Sequence, residues 1–243
     1  MTDADNSSGG FLAPESGEPA AAAEEQPVEA RLAASVILVR DRADSAGSTG
    51  LEVFIQHRVS TMDFAAGMVV FPGGRVDAVD SGGWDFPAAV VQLHAKAWHR
   101  TGEPATGAIP VHPISPEDAA SRLLAAARRE VFEETGLLLD ADALVPWANW
   151  VTPPDQPKRF DTYFFLAALS PDQEPRHQTT EANTSQWMPV ADILSAESAG
   201  TLRLMRPTKF LLNELLTFGS AAAAVAAVRD IVPVRGPRGS SLT

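Results

Sequence analysis

"ARREVFEETGLLL", residues 127–139, is the stretch on which the reading of this chain turns. Three glutamates, Glu130, Glu133 and Glu134, stand within five consecutive positions of a helix-forming run. Their i, i+3, i+4 spacing places three carboxylates on one face of a helix. Leu124, Ala127 and Val131 form a different, apolar face suited to packing on a sheet. An acidic face on a surface helix is ordinarily solvated and relieved by interleaved lysines. Here only Arg128 and Arg129 are near, and only Arg129, four residues before Glu133, is well placed to pair with it. A bound divalent cation relieves the repulsion and uses the geometry.

Working outward, the helix is predicted to begin at Ser115, a cap residue, with Pro116 at the first helical position. Glu117 and Asp118 lie toward the positive end of its dipole, and Gly136 is the natural stop. Upstream, "RLAASVILVRD" and "LEVFIQHRV" read as two strands of a hairpin joined by the turn "RADSAGSTG". "GMVVFPGGRVD" reads as a short strand stopped by Pro72 and two glycines, which let backbone approach a ligand closely. Downstream, "ALVPWANWVTP", "RFDTYFFLAAL" and "TSQWMPV" are predicted strands, the last at a sheet edge or end because of its proline. "VADIL" starts a short helix, "RPTKFLLNELLTFG" is a longer one, and "SAAAAVAAVRD" is a final Ala-rich helix. The irregular alternation predicts an α/β architecture, a mixed sheet covered by helices.

The chain has 243 residues, 45% of them hydrophobic, enough for one domain with appendages. It has no cysteine, which excludes disulfides and thiolate metal sites and leaves oxygen or imidazole ligands for any metal. The net charge of −12 disfavours non-specific binding to nucleic acid or to an anionic membrane surface. It does not forbid a phosphate-bearing substrate, because a bound cation inverts the local field. Residues 1–29 are rich in Ala, Glu, Pro, Ser and Gly, and are expected to be a disordered acidic segment. No secretory signal and no apolar run of the roughly 20 residues that span a bilayer is seen, so the expected location is cytoplasmic. The organisation expected is a domain over residues 30–232, with an insertion at about 81–115, followed by a flexible tail at 233–243.

These residues resemble the Nudix hydrolases. The family box reads G, five residues, E, seven residues, then R-E-U-x-E-E-x-G-U, with U a bulky aliphatic. "REVFEETGL", Arg129 to Leu137, matches the second half at every fixed position. The first half is Gly74, five residues, then Asp80 in place of Glu, and 48 residues rather than seven separate Asp80 from Arg129. A box split in this way resembles the branch that includes the peroxisomal coenzyme A diphosphatases. "HRVSTMDFAAGMVVFPGG", with Arg58, Phe64 and Gly67, "WVTPPDQPKRFDTYFFLA" and "MRPTKFLL" are also similar to that branch.

The resemblance implies a Nudix-type α/β/α sandwich and a hydrolase that requires Mg²⁺ or Mn²⁺. It implies Glu130, Glu134, Glu133 and the backbone carbonyl of Gly73 as metal ligands. Glu133, Glu130, Arg129 and Glu181 are the implied catalytic group, with Arg129 orienting Glu133 and Glu181 serving as a distal ligand or base. Arg58, Gly74 and Arg75 are the implied substrate-binding residues. Asp80 keeps the usual acidic role or supports from behind. The insertion is expected to hold a helix around Pro87 to His99 and to wall the pocket; Trp84, Trp98 and His99 either stack on a base or bury the insertion's own core.

The implied reaction is cleavage of the diphosphate bond of a nucleoside diphosphate linked to another moiety. Coenzyme A or an acyl-coenzyme A is the first substrate, giving 3′,5′-ADP and a phosphopantetheine. ADP-ribose, NADH and dinucleoside polyphosphates come second. A non-catalytic ligand sensor and an interaction scaffold are rivals from other classes. The expected partner is a small nucleotide, with neither nucleic acid nor membrane. The Ala-rich final helix leaves open whether it joins a homodimer or packs on its own domain.

Overall fold

The computed structural model describes residues 28–42, 50–60, 65–82, 84–98, 115–237 and 239. The acidic segment over residues 1–27, most of the hairpin turn, Phe64, His99 and the loop that follows it lie outside the described residues.

Among the described residues the strands form one mixed eight-stranded sheet. In it β1 (Arg31–Asp41) runs parallel to β6 (Phe160–Ala168), β5 (Val145–Val151) is antiparallel to β6, and β8 (Val234–Arg235) is parallel to β5. At the other side β7 (Ala182–Pro189) lies antiparallel along β2 (Leu51–Arg58) and ends at the proline that predicted an edge or end. The sheet therefore takes in residues expected to be a mobile tail: β8 pairs Val234 and Arg235 with Trp150 and Val151.

The glycine segment takes its place from the edges left free. One edge of β1 is occupied by β6 from Arg31 to Val39, and one edge of β2 by β7 along its length. β1 and β2 pair with each other only at Val39–Asp41 and Leu51–Val53, then splay. Into the gap enter β3 (Val69–Val70), paired to β2, and β4 (Gly73–Arg75), paired to β1. The two glycines thus belong to a strand rather than only ending one. Gly73 has φ +152, and a Cβ there would collide with the Ala34 carbonyl oxygen of β1. Only glycine allows this approach.

The period-2 alternation of the strands feeds two cores. Val36 and Leu38 of β1 and Phe165 of β6 face one helical layer, with Leu124, Ala127 and Val131 of α2 (Pro116–Thr135). Ile37, Val39 and Leu166 face the other, with Ile193 of α3 (Val190–Ser198), Leu211 and Leu215 of α4 (Arg206–Leu215) and Ala224 of α5 (Ala221–Val225). This is an α/β/α sandwich, as expected. α5 is one short turn packed on the sheet rather than the longer helix that its alanines suggested.

α2 starts and stops as predicted. Ser115 accepts a hydrogen bond from the Asp118 N–H at 3.0 Å, and Gly136 takes the left-handed conformation with φ 75°. α1 (Ala88–Ala97) is the helix expected in the insertion. Trp98 at its end does not close a separate core. It is 6% exposed and packs edge-on against Tyr163 and Phe165 of the main sheet, with ring centroids at 5.1 and 5.6 Å. Trp84 instead stacks on Phe86, with Arg128 over both rings. Both tryptophans therefore pack against protein side chains.

Candidate active site

The burial of Leu124, Ala127 and Val131 sets the rotation of α2, and that rotation grades the three glutamates. Glu134, three residues beyond Val131, turns inward and is 5% exposed. The Glu130 side chain is 13% exposed, whereas that of Glu133 is 56% exposed and meets Arg129 Nη1 at 3.3 Å. The single acidic face read from the spacing thus runs from core to solvent.

Glu134 receives one hydrogen bond from the Gly73 N–H, at 3.0 Å to Oε2. Its carboxyl is pushed up to about 8, first by burial and further by the nearby charge of Glu130, against the opposing Gly73 hydrogen bond. Glu130 is raised too, first by burial, with Arg129 opposing and the charges of Glu133 and Glu181 adding to the rise. Gly74 stands against Glu130: a Cβ there would overlap its carboxylate. The glycine pair therefore has two separate duties, Gly73 against β1 and Glu134, and Gly74 against Glu130.

Arg129 is the hub. Its Nε and Nη2 grip both oxygens of Asp80 at 2.9 and 2.8 Å, and Nη2 also donates to the Arg75 carbonyl at 2.9 Å. Nη1 reaches Glu130 at 2.7 Å. These partners, Asp80 foremost, hold the guanidinium above its ordinary range. Asp80 is 2% exposed, sits in a 3₁₀ turn over Ala78–Ser81, and accepts from the Asp77 N–H at 2.8 Å. Its oxygens are thus committed to Arg129 and the turn. The fold brings Asp80 and Arg129 together across 48 intervening residues, and Asp80 serves as the anchor of Arg129.

Arg58 and Glu181 meet at 3.2 Å, and the Val59 N–H donates to the Glu181 carbonyl, so the loop before β7 is tied to the end of β2. Both residues line one large cavity with Gly73, Gly74, Arg75, Glu130 and Glu133. The cavity has a volume of about 870 Å³ and continues past the glutamate helix to the 153–159 connection, the start of α4 and β8. Eight arginine and lysine residues line it against five acidic ones, the reverse of the whole chain's balance. Among the basic ones are Lys158, Arg206 and Arg235, which were not singled out from the sequence. Two of them lie inside "WVTPPDQPKRFDTYFFLA" and "MRPTKFLL", the segments in which a signal was available. Trp84 and Trp98 are not part of its lining.

The residues present fit a hard divalent cation. Every donor is an oxygen, Glu130 and Glu134 are both raised first by burial with Arg129 as the direct ion-pair partner of Glu130 alone, and glycine at 74 leaves room beside a carboxylate. Among the described residues no three acidic or histidine side chains converge as a ready-made cage. Glu133 is directed to Arg129, and Gly73 is joined to Glu134 through its N–H.

Comparisons with known proteins agree with this geometry. The NUDIX domain model matches residues 115–206, from the cap of α2 to the start of α4. A curated Caenorhabditis elegans protein that carries the name nudix hydrolase 7 is 28% identical over 189 residues, covering 76% of this chain and 60% of that protein. The chain thus spans about 60% of that relative's length. The crystal structure of a NUDIX hydrolase from Alicyclobacillus acidocaldarius superimposes with a TM-score of 0.62 at 27% identity, over 82% of this chain and 97% of that one. The segment that matches the NUDIX domain model, residues 115–206, is the one that carries the glutamate helix, and the chain shares its fold with a NUDIX hydrolase of known structure.

Proposed function

We propose that the protein is a divalent-metal-dependent hydrolase that cleaves the diphosphate bond of a nucleoside diphosphate linked to a second moiety, with coenzyme A or an acyl-coenzyme A as substrate. The observation that carries the reading is the pair of inward-turned carboxylates, Glu130 on the wall of a cavity whose charged lining is mainly basic and Glu134 buried behind it, set against Gly74 and Gly73.

Glu130 and Glu134 would hold Mg²⁺ or Mn²⁺, with Glu133 and the Gly73 carbonyl as further ligands. When bound, the ion neutralises the diphosphate oxygens and acts as a Lewis acid on them. The rest falls to the chain. Arg58 and Arg75 bind phosphate oxygens, at the cavity wall where both stand. Arg129, fixed by Asp80, positions Glu130 and Glu133. Glu181, tethered by Arg58, takes the proton of the attacking water. Water adds at phosphorus, the bridging P–O bond breaks, and both products leave as phosphate monoesters, 3′,5′-ADP and a phosphopantetheine in the case of coenzyme A.

Two further features support this substrate: the split box, whose halves the Arg129–Asp80 pair rejoins, and a cavity of about 870 Å³, within the range of drug-sized ligands. The test is a product assay with coenzyme A in Mg²⁺ and then Mn²⁺, with Glu134→Gln as control. Release of 3′,5′-ADP that the variant abolishes supports the chemistry and the helix assignment together. No release with either metal sinks the coenzyme A assignment, and ADP-ribose, NADH and dinucleoside polyphosphates are then assayed in turn.

A further inference from the structure

The cavity continues beyond the glutamate helix to the first turn of α4. Met205, at the cap position, has no side chain that can accept the helix's free N–H groups, and Pro207 has no N–H of its own. The N–H groups of Arg206 and Thr208 are thus left at the positive end of a ten-residue helix. Thr208 is 4% exposed and lines the cavity. Among the described residues its hydroxyl meets no hydrogen-bond partner. Trp150 lines the same cavity, packs against Phe210 of α4 with ring centroids at 5.5 Å, and has a buried indole N–H with no partner. Arg206 adds an exposed guanidinium on the same turn, and Lys158 and Arg235 line the cavity with it.

Donors left unsatisfied in a buried position are costly unless a ligand completes them. Here they are gathered with positive charge, in a chain whose net charge is −12. The ligand they fit is a compact anion with several acceptor oxygens. The carboxylates of the glutamate helix are not involved, so this is a second locus in the same cavity.

We infer that the first turn of α4 binds a phosphomonoester that the substrate carries apart from its diphosphate linkage, with Arg206 and Thr208 as the specificity-determining residues. The inference rests on the diphosphatase reading above and narrows it to nucleotides bearing an additional phosphate. Free inorganic phosphate offers the same chemistry from a different source.

The experiment compares coenzyme A with 3′-dephospho-coenzyme A, which lacks only that phosphate, in the wild type, Arg206→Ala, Thr208→Val and Lys209→Ala. Lys209 lies on the same helix, pairs with Glu197 at 2.8 Å and is not part of the cavity lining. The wild type is expected to prefer coenzyme A by roughly 10- to 100-fold in kcat/KM, mostly through KM. The preference should fall to near 1 in Arg206→Ala, drop severalfold in Thr208→Val and persist in Lys209→Ala. A preference that survives both of the first two substitutions overturns the inference.

Calorimetric binding of 3′,5′-ADP, 5′-AMP and inorganic phosphate separates this from the activity reading, because it needs no turnover. Tighter binding of 3′,5′-ADP than of 5′-AMP, lost in Arg206→Ala, supports the site even if coenzyme A is not cleaved. Equal binding of the two nucleotides, with inorganic phosphate bound in an Arg206-dependent way, assigns the turn to free phosphate and overturns the substrate role.

Discussion

Asp80 and Glu134 are both buried carboxylates, 2% and 5% exposed, and the structure treats them in opposite ways. Asp80 receives two hydrogen bonds from the fork of Arg129 and one from a backbone N–H. Glu134 receives a single backbone N–H and no direct ion pair among the described residues, stands near the charge of Glu130, and is pushed up to about 8 although Gly73, Gln56 and Arg58 pull the other way. Equal burial therefore has two outcomes. A buried anion paired directly with a cation is a fastening; one without such a pair is costly to ionise until a cation reaches it. The difference separates a carboxylate that fastens the site from one that has no ion-pair partner of its own.

The comparison breaks most sharply at Glu134. Glu134→Gln keeps the Gly73 hydrogen bond and the shape but removes the charge. It is expected to lower kcat for the diphosphate substrate by about 10³-fold or more while the circular dichroism spectrum is retained. Activity within tenfold of wild type would place the essential carboxylate elsewhere. Asp80→Ala strips Arg129 of its main partner inside a mostly buried site. Chemical denaturation should show a loss of about 3 kcal/mol, with activity falling because Glu130 and Glu133 lose their positioner. A loss below about 0.5 kcal/mol would mean that the pair is not a fastening.

A smaller effect is thermal. Because burial raises the folded-state pKa of Glu134 above its ordinary 4.5, the folded state binds the proton more tightly than the unfolded chain. The stability this contributes is complete below about 4.5 and is lost as pH rises through about 8. Melting in chelator should therefore show Glu134→Gln gaining on the wild type between about pH 5 and 8 and levelling off above that, by roughly 2–4 °C per kcal/mol. Added Mg²⁺ or Mn²⁺ should stabilise the wild type most at the alkaline end, and the variant much less. A difference between the two proteins that does not change with pH would contradict the assigned cause. The smallest effect belongs to the exposed glutamate. Its i, i+4 pairing with Arg129 is worth only a few tenths of a kcal/mol, so Glu133→Gln should leave the melting temperature almost unchanged. Any loss of activity in that variant then reports on ligation or catalysis rather than on folding.

What could be read without the structure was local. The start and stop of α2, the apolar β-branched run of β1, the two-residue alternation of β2, and the acidic face of the helix are consequences of spacing along the chain. Neighbours at i+2, i+3 and i+4 are brought together by the secondary structure itself. The Ser115 cap and the Gly136 stop fell where the residues placed them. The division of labour among three equivalent-looking glutamates did not, because it depends on how far α2 is rotated against the sheet.

The rest was decided by which surfaces remained free once the sheet had formed. Asp80 meets Arg129 across 48 intervening residues because β4 is wedged between splayed strands and carries the following turn to α2. Trp98 left the insertion for the main core because Tyr163 and Phe165 offered an apolar face at that point. Val234 and Arg235, flanked by Pro233 and Gly236 and unremarkable in the sequence, became a strand because the edge of β5 was open. Lys158, Arg206 and Arg235, far apart along the chain, line one cavity for the same reason. Local spacing determined the chemistry this chain carries on its glutamate helix; long-range edge pairing, whose outcome no local propensity encodes, decided what that chemistry faces.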